Sequence, residues 1–237
     1  MAIEKENIAL MFDDIAPTYD KLNHLLSLNV DKSWRRKAVR LMKKAVASVA
    51  KPKILDVACG TADSTVQIAR SLPKACIDAI DVSDGMLEVG KQKVERLKLA
   101  ERISFYNSRA EHIVCQNDVY DAVMVAFGVR NFADREQGLK EMLRVLKPSG
   151  TLVVVELSEP QNGLIRWFYN LYFENMLPRI GKRVSGNAEA YRYLQQSVAR
   201  FPMPKEFMAM LESCGYSDVR HKALSFGLCR IYQAKKV

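Results

Sequence analysis

Apolar residues in this chain follow two alternating rhythms. Short continuous runs near residues 53–58, 76–81, 102–106, 121–127 and 150–157 have the length and β-branched content of strands buried on both faces. Between them, residues 84–99 and 134–146 repeat apolar positions every three or four residues, and Ser83 or Asp84 supplies an N-cap for the first. This alternation predicts an α/β fold built on a doubly wound, mostly parallel sheet. The C-terminal part changes character. Residues 204–214 read as a helix, and residues 217–223 and 228–234 as two strands joined through 224–227, which predicts a closing antiparallel hairpin. Residues 1–50 read as an N-terminal helical cap. Residues 160–203 break the alternation with an aromatic-rich helical insert carrying Trp167, Phe168, Tyr169, Tyr172, Phe173, Met176, Tyr191, Tyr193 and Phe201. Such side chains form core or line an apolar pocket. Residues 1–237 are read as a single domain.

The first strand runs into the turn Ala58-Cys-Gly-Thr-Ala-Asp63, and the second ends at Asp81. Gly60 permits a sharp turn, and the helix that follows points its N-terminus at a ligand. A carboxylate about 20 residues beyond a glycine turn suits a ribose, in a dinucleotide or in an adenosyl cofactor. A dinucleotide needs G-x-G-x-x-G so that pyrophosphate can approach bare backbone. This turn has one glycine and an acid at Asp63, which repels pyrophosphate and suits the cationic methionyl end of S-adenosyl-L-methionine. The glycine count favours adenosylmethionine over a dinucleotide, and ordinary turn residues remain the plainest alternative.

At 237 residues and 49% hydrophobic, the chain can bury one substantial core. It has no run of 18 apolar residues, so no membrane span is expected. Its start lacks the basic and apolar regions of a signal peptide, which points to the cytoplasm. Five widely spaced cysteines show no metal-ligand spacing and are expected to be reduced, buried thiols. No metal is expected. The net charge of +9 concentrates partly in Lys32, Arg35, Arg36, Lys37, Arg40, Lys43 and Lys44, interleaved with Trp34, Ala38, Leu41 and Met42. That is a basic amphipathic helix, expected to pack by its apolar stripe with a solvated basic face, and a membrane-surface role is the alternative.

Several strings resemble one known family, the menaquinone and ubiquinone biosynthesis C-methyltransferases within the class I adenosylmethionine-dependent methyltransferases. They are Tyr19-Asp-Lys-Leu-Asn23 with Ser27 and Trp34; Phe127-Gly-Val-Arg-Asn131; Arg144-Val-Leu-Lys-Pro148 with Gly150 and Glu156-Leu-Ser158; and Leu177-Pro-Arg-Ile-Gly181, Tyr191-Arg-Tyr-Leu194, Ser197, Phe201-Pro202 and Phe226-Gly. The chain departs from the family pattern at Leu22, Asn29, Asp31, Ala62, Ala126 and Ser149, and none of these removes a charge that the chemistry needs. The resemblance implies that Thr61 contacts the methionyl part of the cofactor and that Asp81 binds both ribose hydroxyls. Arg109 and Ala110 would flank the adenine, while Asp56 and Gly60 shape the turn.

The implied reaction is C-methylation of a polyprenylated quinol, with demethylmenaquinol to menaquinol favoured over a benzoquinol of ubiquinone synthesis. Ring carbon becomes nucleophilic when the neighbouring phenol ionises, which at pH 7 costs about 4 kcal/mol for a pKa near 10. A charge-assisted hydrogen bond contributes roughly 1.5 to 3 kcal/mol. Arg130, beyond the fourth strand, is the candidate cation, with Asn131 orienting the ring oxygen or a water. The alternative is an arginine that ties its loop to a carboxylate. Tyr19, Asp20 or a water is the expected proton acceptor, with His24 a weaker one. The Tyr19–Trp34 region and the aromatic insert are expected to cover the substrate. A polyprenyl substrate implies transient contact with a membrane surface, peripheral at its inner face, and a homodimer stays open. Rival readings are a methyltransferase of another small molecule or lipid, and a non-catalytic cofactor-binding protein. Nucleic acid is not an expected partner, since no RNA-binding module or Asp/Asn-Pro-Pro-Tyr loop is present.

Overall fold

The computed structural model describes residues 5–171 and 188–237. The apolar runs become strands: β1 (Lys53–Val57), β2 (Cys76–Asp81), β3 (Ile103–Asn107), β4 (Tyr120–Ala126) and β5 (Leu146–Leu157). The hairpin supplies β6 (Tyr216–Leu224) and β7 (Cys229–Lys236), giving a seven-stranded sheet of order β3-β2-β1-β4-β5-β7-β6. All pairs from β3 to β5 are parallel. β7 inserts antiparallel between β5 and β6, so the hairpin closes the sheet through its second strand. The chain order reverses beside β1, and in open sheets of this kind the crevice beyond the carboxyl ends at that reversal holds the ligand.

Burial on both faces explains the continuous apolar runs. Leu55, Val57, Val123, Val125, Leu152 and Val154 face one core, and the intervening Ile54, Ala122, Met124, Val153 and Val155 face the other, as the two-residue period requires. Helices α3 (Asp63–Ser71) and α4 (Asp84–Arg96) follow β1 and β2, and α5 (Arg135–Val145) follows β4. The expected cap is present, because Ser83 Oγ accepts from Met86 N at 3.1 Å. Asp134 does the same for α5, accepting from Gln137 N at 3.0 Å. β5 begins at Leu146, earlier than its apolar run: Leu146 pairs with Tyr120 before a register shift, and Ser149 takes a left-handed φ of 64° at that irregularity.

The N-terminal segment forms two helices, α1 (Lys5–Leu26) and α2 (Val30–Ala45), separated by left-handed Leu28 and Asn29. α2 packs Trp34, Ala38, Val39 and Met42 into the core. α1 is pinned over α4 by Asp13, whose Oδ1 accepts from Ser83 Oγ at 2.5 Å and Gly85 N at 2.9 Å. The aromatic insert contributes α6 (Gly163–Leu171) and α7 (Ala188–Ala199), followed by α8 (Pro204–Ser213). Tyr172, Phe173, Met176 and the 177–181 string lie outside the described residues. Phe201 is core, packed at a tilt against Phe207 with ring centroids 4.9 Å apart. The cysteine expectation holds only in part: all five are free, but Cys76 is exposed and Cys115 half-buried, leaving Cys59, Cys214 and Cys229 as buried thiols.

Candidate active site

The turn after β1 carries three left-handed residues, Ala58 (φ 52°), Gly60 (φ 53°) and Ala62 (φ 66°). Gly60 suits this conformation because it has no Cβ to strain. A Cβ there would meet nothing within 4 Å, so the requirement is conformational rather than steric. Ala62, fully buried at the N-cap of α3, turns its methyl toward Gly90 of α4, where a Cβ would approach it to 3.2 Å. Ala62 does not line the cavity in front of the turn, so replacing the family's second glycine does not narrow that cavity. Ala58 is accommodated by Gly128, where any side chain would meet its methyl at 2.6 Å.

That cavity is walled by Gly60, Thr61, Asp63, Asp81, Arg109, Ala110, Asn131 and Tyr19, among others. Asp81 Oδ2 accepts from Gly60 N at 2.8 Å and Oδ1 from Ser83 N at 3.0 Å. The carboxylate is therefore held by backbone while each oxygen keeps a lone pair for a ligand hydroxyl. Burial pushes its pKa above the usual carboxylate range, against the pull of those N–H groups. Burial also pushes the Cys59 thiol well up, which suits a packing role rather than a nucleophile. Asp56 lies behind the wall rather than in it. Its Oδ2 accepts from Thr65 Oγ1 at 2.6 Å, its Oδ1 has no partner, and burial pushes its pKa up to about 7.

A chain of ion pairs ties α1 and α2 to this turn. Thr61 Oγ1 donates to Asp20, whose other oxygen takes Lys93 Nζ at 2.6 Å, and Lys93 also reaches Asp63 at 2.7 Å. Burial raises the Asp63 pKa, but Lys93, Arg35 and His24 outweigh it and hold the carboxyl below its ordinary range. His24 Nε2 stands 3.4 Å from Asp63 and its Nδ1 3.0 Å from Asp31 Oδ2, which is also paired with Arg35. Asp63 thus meets a lysine and a histidine of the chain itself.

A second cavity, about 400 Å³ and mainly apolar, opens beside the first. Leu26, Leu28, Val30 and Trp34 of the α1–α2 region, Ile165 and Tyr169 of α6, Leu194 of α7 and Leu228 of the hairpin line it. Tyr19, Arg35 and Phe127 line both cavities and so mark where they meet. The Arg35 guanidinium carbon stands 4.9 Å from the centre of the Phe127 ring. Burial keeps the Tyr19 hydroxyl above its ordinary pKa, opposed by the Arg130 charge and a hydrogen bond to Asn23. Tyr19 is therefore a donor at neutral pH, not a resident base.

The expected pair Arg130 and Asn131 is divided between the cavities. Arg130 lines the second and Asn131 the first, where its Oδ1 accepts from Tyr193 Oη at 3.0 Å. Arg130 is also tied as the alternative reading described. Its Nη1 donates to Glu156 Oε1 at 2.6 Å and its backbone N to Glu156 Oε2 at 3.1 Å, with Glu156 fully buried. Arg130 Nε has no partner. Asp20 lines neither cavity, being taken up by Thr61 and Lys93. Sequence reasoning missed Arg35, which it set on a solvated face and which is in fact buried. The signal was there: Asp31, Arg35, Ala38 and Met42 fall on one helical stripe. Lys93, Glu156 and Tyr193 were missed as partners as well.

The model of the ubiE/COQ5 methyltransferase family matches residues 1–236. A Geobacter sulfurreducens protein named "Ubiquinone/menaquinone biosynthesis C-methyltransferase UbiE" is 44% identical over 232 residues, covering 98% of this chain and 89% of that protein. A Bacteroides fragilis "Demethylmenaquinone methyltransferase" is 39% identical over 233 residues, covering 98% and 94%. Among solved structures, the [4+2]-cyclase SpnF superposes with a TM-score of 0.71 at 16% identity, covering 98% of this chain and 96% of that one. At that identity the likeness speaks for the fold alone.

Proposed function

The chain belongs to the ubiE/COQ5 methyltransferase family, and from that premise we propose that it methylates a ring carbon of a polyprenylated naphthoquinol, converting demethylmenaquinol to menaquinol. Membership makes it an S-adenosylmethionine-dependent C-methyltransferase of quinone biosynthesis. The observation that carries the finer reading is the junction of a polar cavity at the strand ends with a large apolar one at Tyr19, Arg35 and Phe127.

The polar cavity fits the cofactor. Asp81 has backbone-fixed oxygens with lone pairs to spare for two ribose hydroxyls. Asp63 and Thr61 bring oxygen acceptors to the end where a methionyl ammonium belongs. Ala110 offers an apolar surface and Arg109 a guanidinium for the adenine. Asp56 acts from behind, holding Thr65 in the first turn of α3. When bound, the cofactor supplies an electrophilic methyl group.

The protein's own work is to present the ring. Leu26, Trp34, Phe127 and Leu228 offer the apolar walls that a prenylated ring system needs. Arg130 and Arg35 place two guanidinium groups on that cavity, which favours an ionised acceptor oxygen. Glu156 neutralises part of the Arg130 charge, so Arg130 serves by fixed direction as much as by charge. Tyr19 and Asn131 stand as polar anchors at the junction and beside it. Dry alignment of donor and acceptor then lowers the barrier.

The tail reaches the cavity from a membrane surface. Leu28 and Phe226 are 77% and 82% exposed, and with Leu164 and Trp167 of α6 they lie on the elements that form the apolar cavity. From Val30 onward the outer face of α2 presents exposed Lys32, Arg36, Lys37, Arg40, Lys43 and Lys44, a charge pattern that suits an anionic leaflet. No helix among the described residues is long and apolar enough to cross a membrane. Incubation with labelled S-adenosylmethionine and either reduced demethylmenaquinone or a benzoquinol precursor, with mass analysis of products, tests the reading. Methyl on the naphthoquinol ring is expected. Transfer only to the benzoquinol overturns the choice of ring.

A further inference from the structure

Ionising the acceptor hydroxyl requires somewhere for its proton to go, and Tyr19, Arg130 and Asp20 do not provide it. Tyr19 is protonated, Arg130 is a cation tied to Glu156, and Asp20 lines neither cavity. Among the described residues lining the apolar cavity, Asp31 is the one carboxylate. It is 4% exposed, in the first turn of α2. Its Oδ1 accepts from Ser27 Oγ at 2.7 Å, while Oδ2 faces His24 Nδ1 at 3.0 Å and is paired with Arg35. His24 keeps about 20% of its side chain exposed and points its other nitrogen at Asp63, on the cofactor side. The arrangement is a carboxylate on the acceptor cavity, backed by an imidazole with a way to solvent.

We propose that Asp31 and His24 form the proton-accepting pair for the acceptor hydroxyl, Asp31 touching the substrate and His24 carrying the proton away. This rests on the reading of the acceptor as a quinol. The acceptor O–H bond breaks with its electron pair left on oxygen, and the proton forms a bond to an Asp31 oxygen and passes to His24. Methyl transfer leaves the ring carbon with both a methyl group and its hydrogen; loss of that C–H proton and return of one proton to the oxygen restore the aromatic quinol, so the overall reaction releases one proton, which leaves through His24 to solvent. Arg35, bound to Asp31 and bordering both cavities, holds the carboxylate in position and faces the oxygen that turns negative. The other charged groups packed around His24 are Asp63 of α3, Lys93 of α4 and Asp20 of α1, with Lys93 bridging the two aspartates.

The test compares wild type with His24→Gln, which leaves the Asp31–Arg35 pair intact, and with Asp31→Asn, using the full chain and reduced demethylmenaquinone. For His24→Gln the kcat should fall about 10²-fold or more, in the range of general-base effects, with KM within a few-fold. A quinol made more acidic by an electron-withdrawing ring substituent should recover at least tenfold of the loss. Calorimetry with S-adenosylhomocysteine should show unchanged affinity, which confirms a folded cofactor site. Equal loss for both acceptors means that His24 only packs, and overturns the proposal. So does His24→Gln turnover within threefold of wild type. If wild type methylates no quinol at all, the underlying reading fails and this one with it; if wild type does and the variants match it, this one fails alone. Should Asp31→Asn unfold through its unpaired Arg35, His24→Gln decides.

Discussion

The two cavities of this protein meet at three residues yet are built in opposite ways. The cofactor cavity is walled mainly by short segments at the ends of β1, β2, β3 and β4, with Ala9, Phe12 and Tyr19 of α1 and Arg35 of α2 completing it, so most of its shape is fixed by sheet register. The acceptor cavity is assembled from α1, α2, α6, α7 and the turn of the closing hairpin, elements far apart in sequence. Trp34 Nε1 donates to Ser225 Oγ at 2.9 Å across 191 residues, a polar tie between α2 and the hairpin turn. The first wall belongs to the scaffold and the second to its additions. Damage to the first should appear in cofactor affinity, and damage to the second in turnover and acceptor selection.

The sharpest way to break that division is through Arg130, which is bound to the scaffold by Glu156 but lines the acceptor cavity. Removing one member of a buried pair costs roughly 3 to 5 kcal/mol, because the other charge is left uncompensated. Arg130→Met should therefore lower the thermal midpoint strongly and abolish most turnover. The double variant Arg130→Met/Glu156→Leu removes both charges and should recover most of the stability without recovering activity. Recovery of turnover in the double variant would reduce Arg130 to a structural tie and leave Arg35 as the cation of the reaction.

Asp81 makes the reciprocal test on the scaffold side. Asp81→Ala removes an acceptor for two ligand hydroxyls, and hydrogen bonds to a charged group are worth roughly 1.5 to 3 kcal/mol each. A loss of about 3 kcal/mol, more than a hundredfold in S-adenosylhomocysteine affinity by calorimetry, is expected. KM for the quinol should change little. A large shift in acceptor KM with unaltered cofactor affinity would exchange the assigned roles of the two cavities.

The same contrast explains what the sequence disclosed. The strands, the Ser83 cap and the turn around Gly60 could be read because their causes are local: apolar runs, a hydroxyl before a helix, a left-handed residue. Ala62 shows the limit of such reading, since only the space above Gly90 reveals that its methyl points away from the cavity. Glu156 sits within a strand motif, but its partner lies 26 residues earlier in a loop, and nothing in either string pairs them. Arg35 was misplaced because a run of basic residues suggests a solvated face, while the stripe shared with Asp31, Ala38 and Met42 decides its burial. The acceptor cavity could be anticipated as aromatic and helical, but not the joining of α1, α2 and the hairpin turn around it.

Asp56 tests how rigid the scaffold wall is. Its carboxyl ionises near 3.9 when unfolded, as carboxylates of its type do, and at about 7 when folded, chiefly through burial, with the Thr65 hydrogen bond and Arg35 opposing. Between those values the folded chain keeps a proton that the unfolded chain has lost, so this group's contribution falls as pH rises through that window. Asp56→Asn retains an acceptor for Thr65 and cannot ionise. Relative to wild type it should gain about 2 to 3 kcal/mol between pH 5 and pH 7, from roughly 1.36 kcal/mol per pH unit, and the difference should level off above that. Urea titrations at the two pH values measure it. A pH-independent difference would mean that water reaches Asp56 and that the turn is less closely packed than its contacts imply.

The smallest expected effects lie at the exposed apolar rim of the acceptor cavity. Phe226 holds a left-handed φ of 59° at the hairpin turn while 82% of its surface is exposed. A buried position would explain its apolar side chain, and this one does not, unless another apolar phase covers it. Phe226→Ser and Leu28→Ser should each weaken binding to vesicles containing an anionic lipid by about 1 kcal/mol, a fraction of the roughly 1.5 to 3 kcal/mol for full burial of such a side chain. Lys37→Glu should act by a similar amount, about 1 kcal/mol per basic residue near the surface, and should be masked by salt. KM for a long-tailed quinol in vesicles should rise several-fold in these variants, and KM for a short-tailed quinol in solution should not. Equal changes with both acceptors would place the rim in the cavity's own packing, and the polyprenyl tail would then need another route to the ring-binding site.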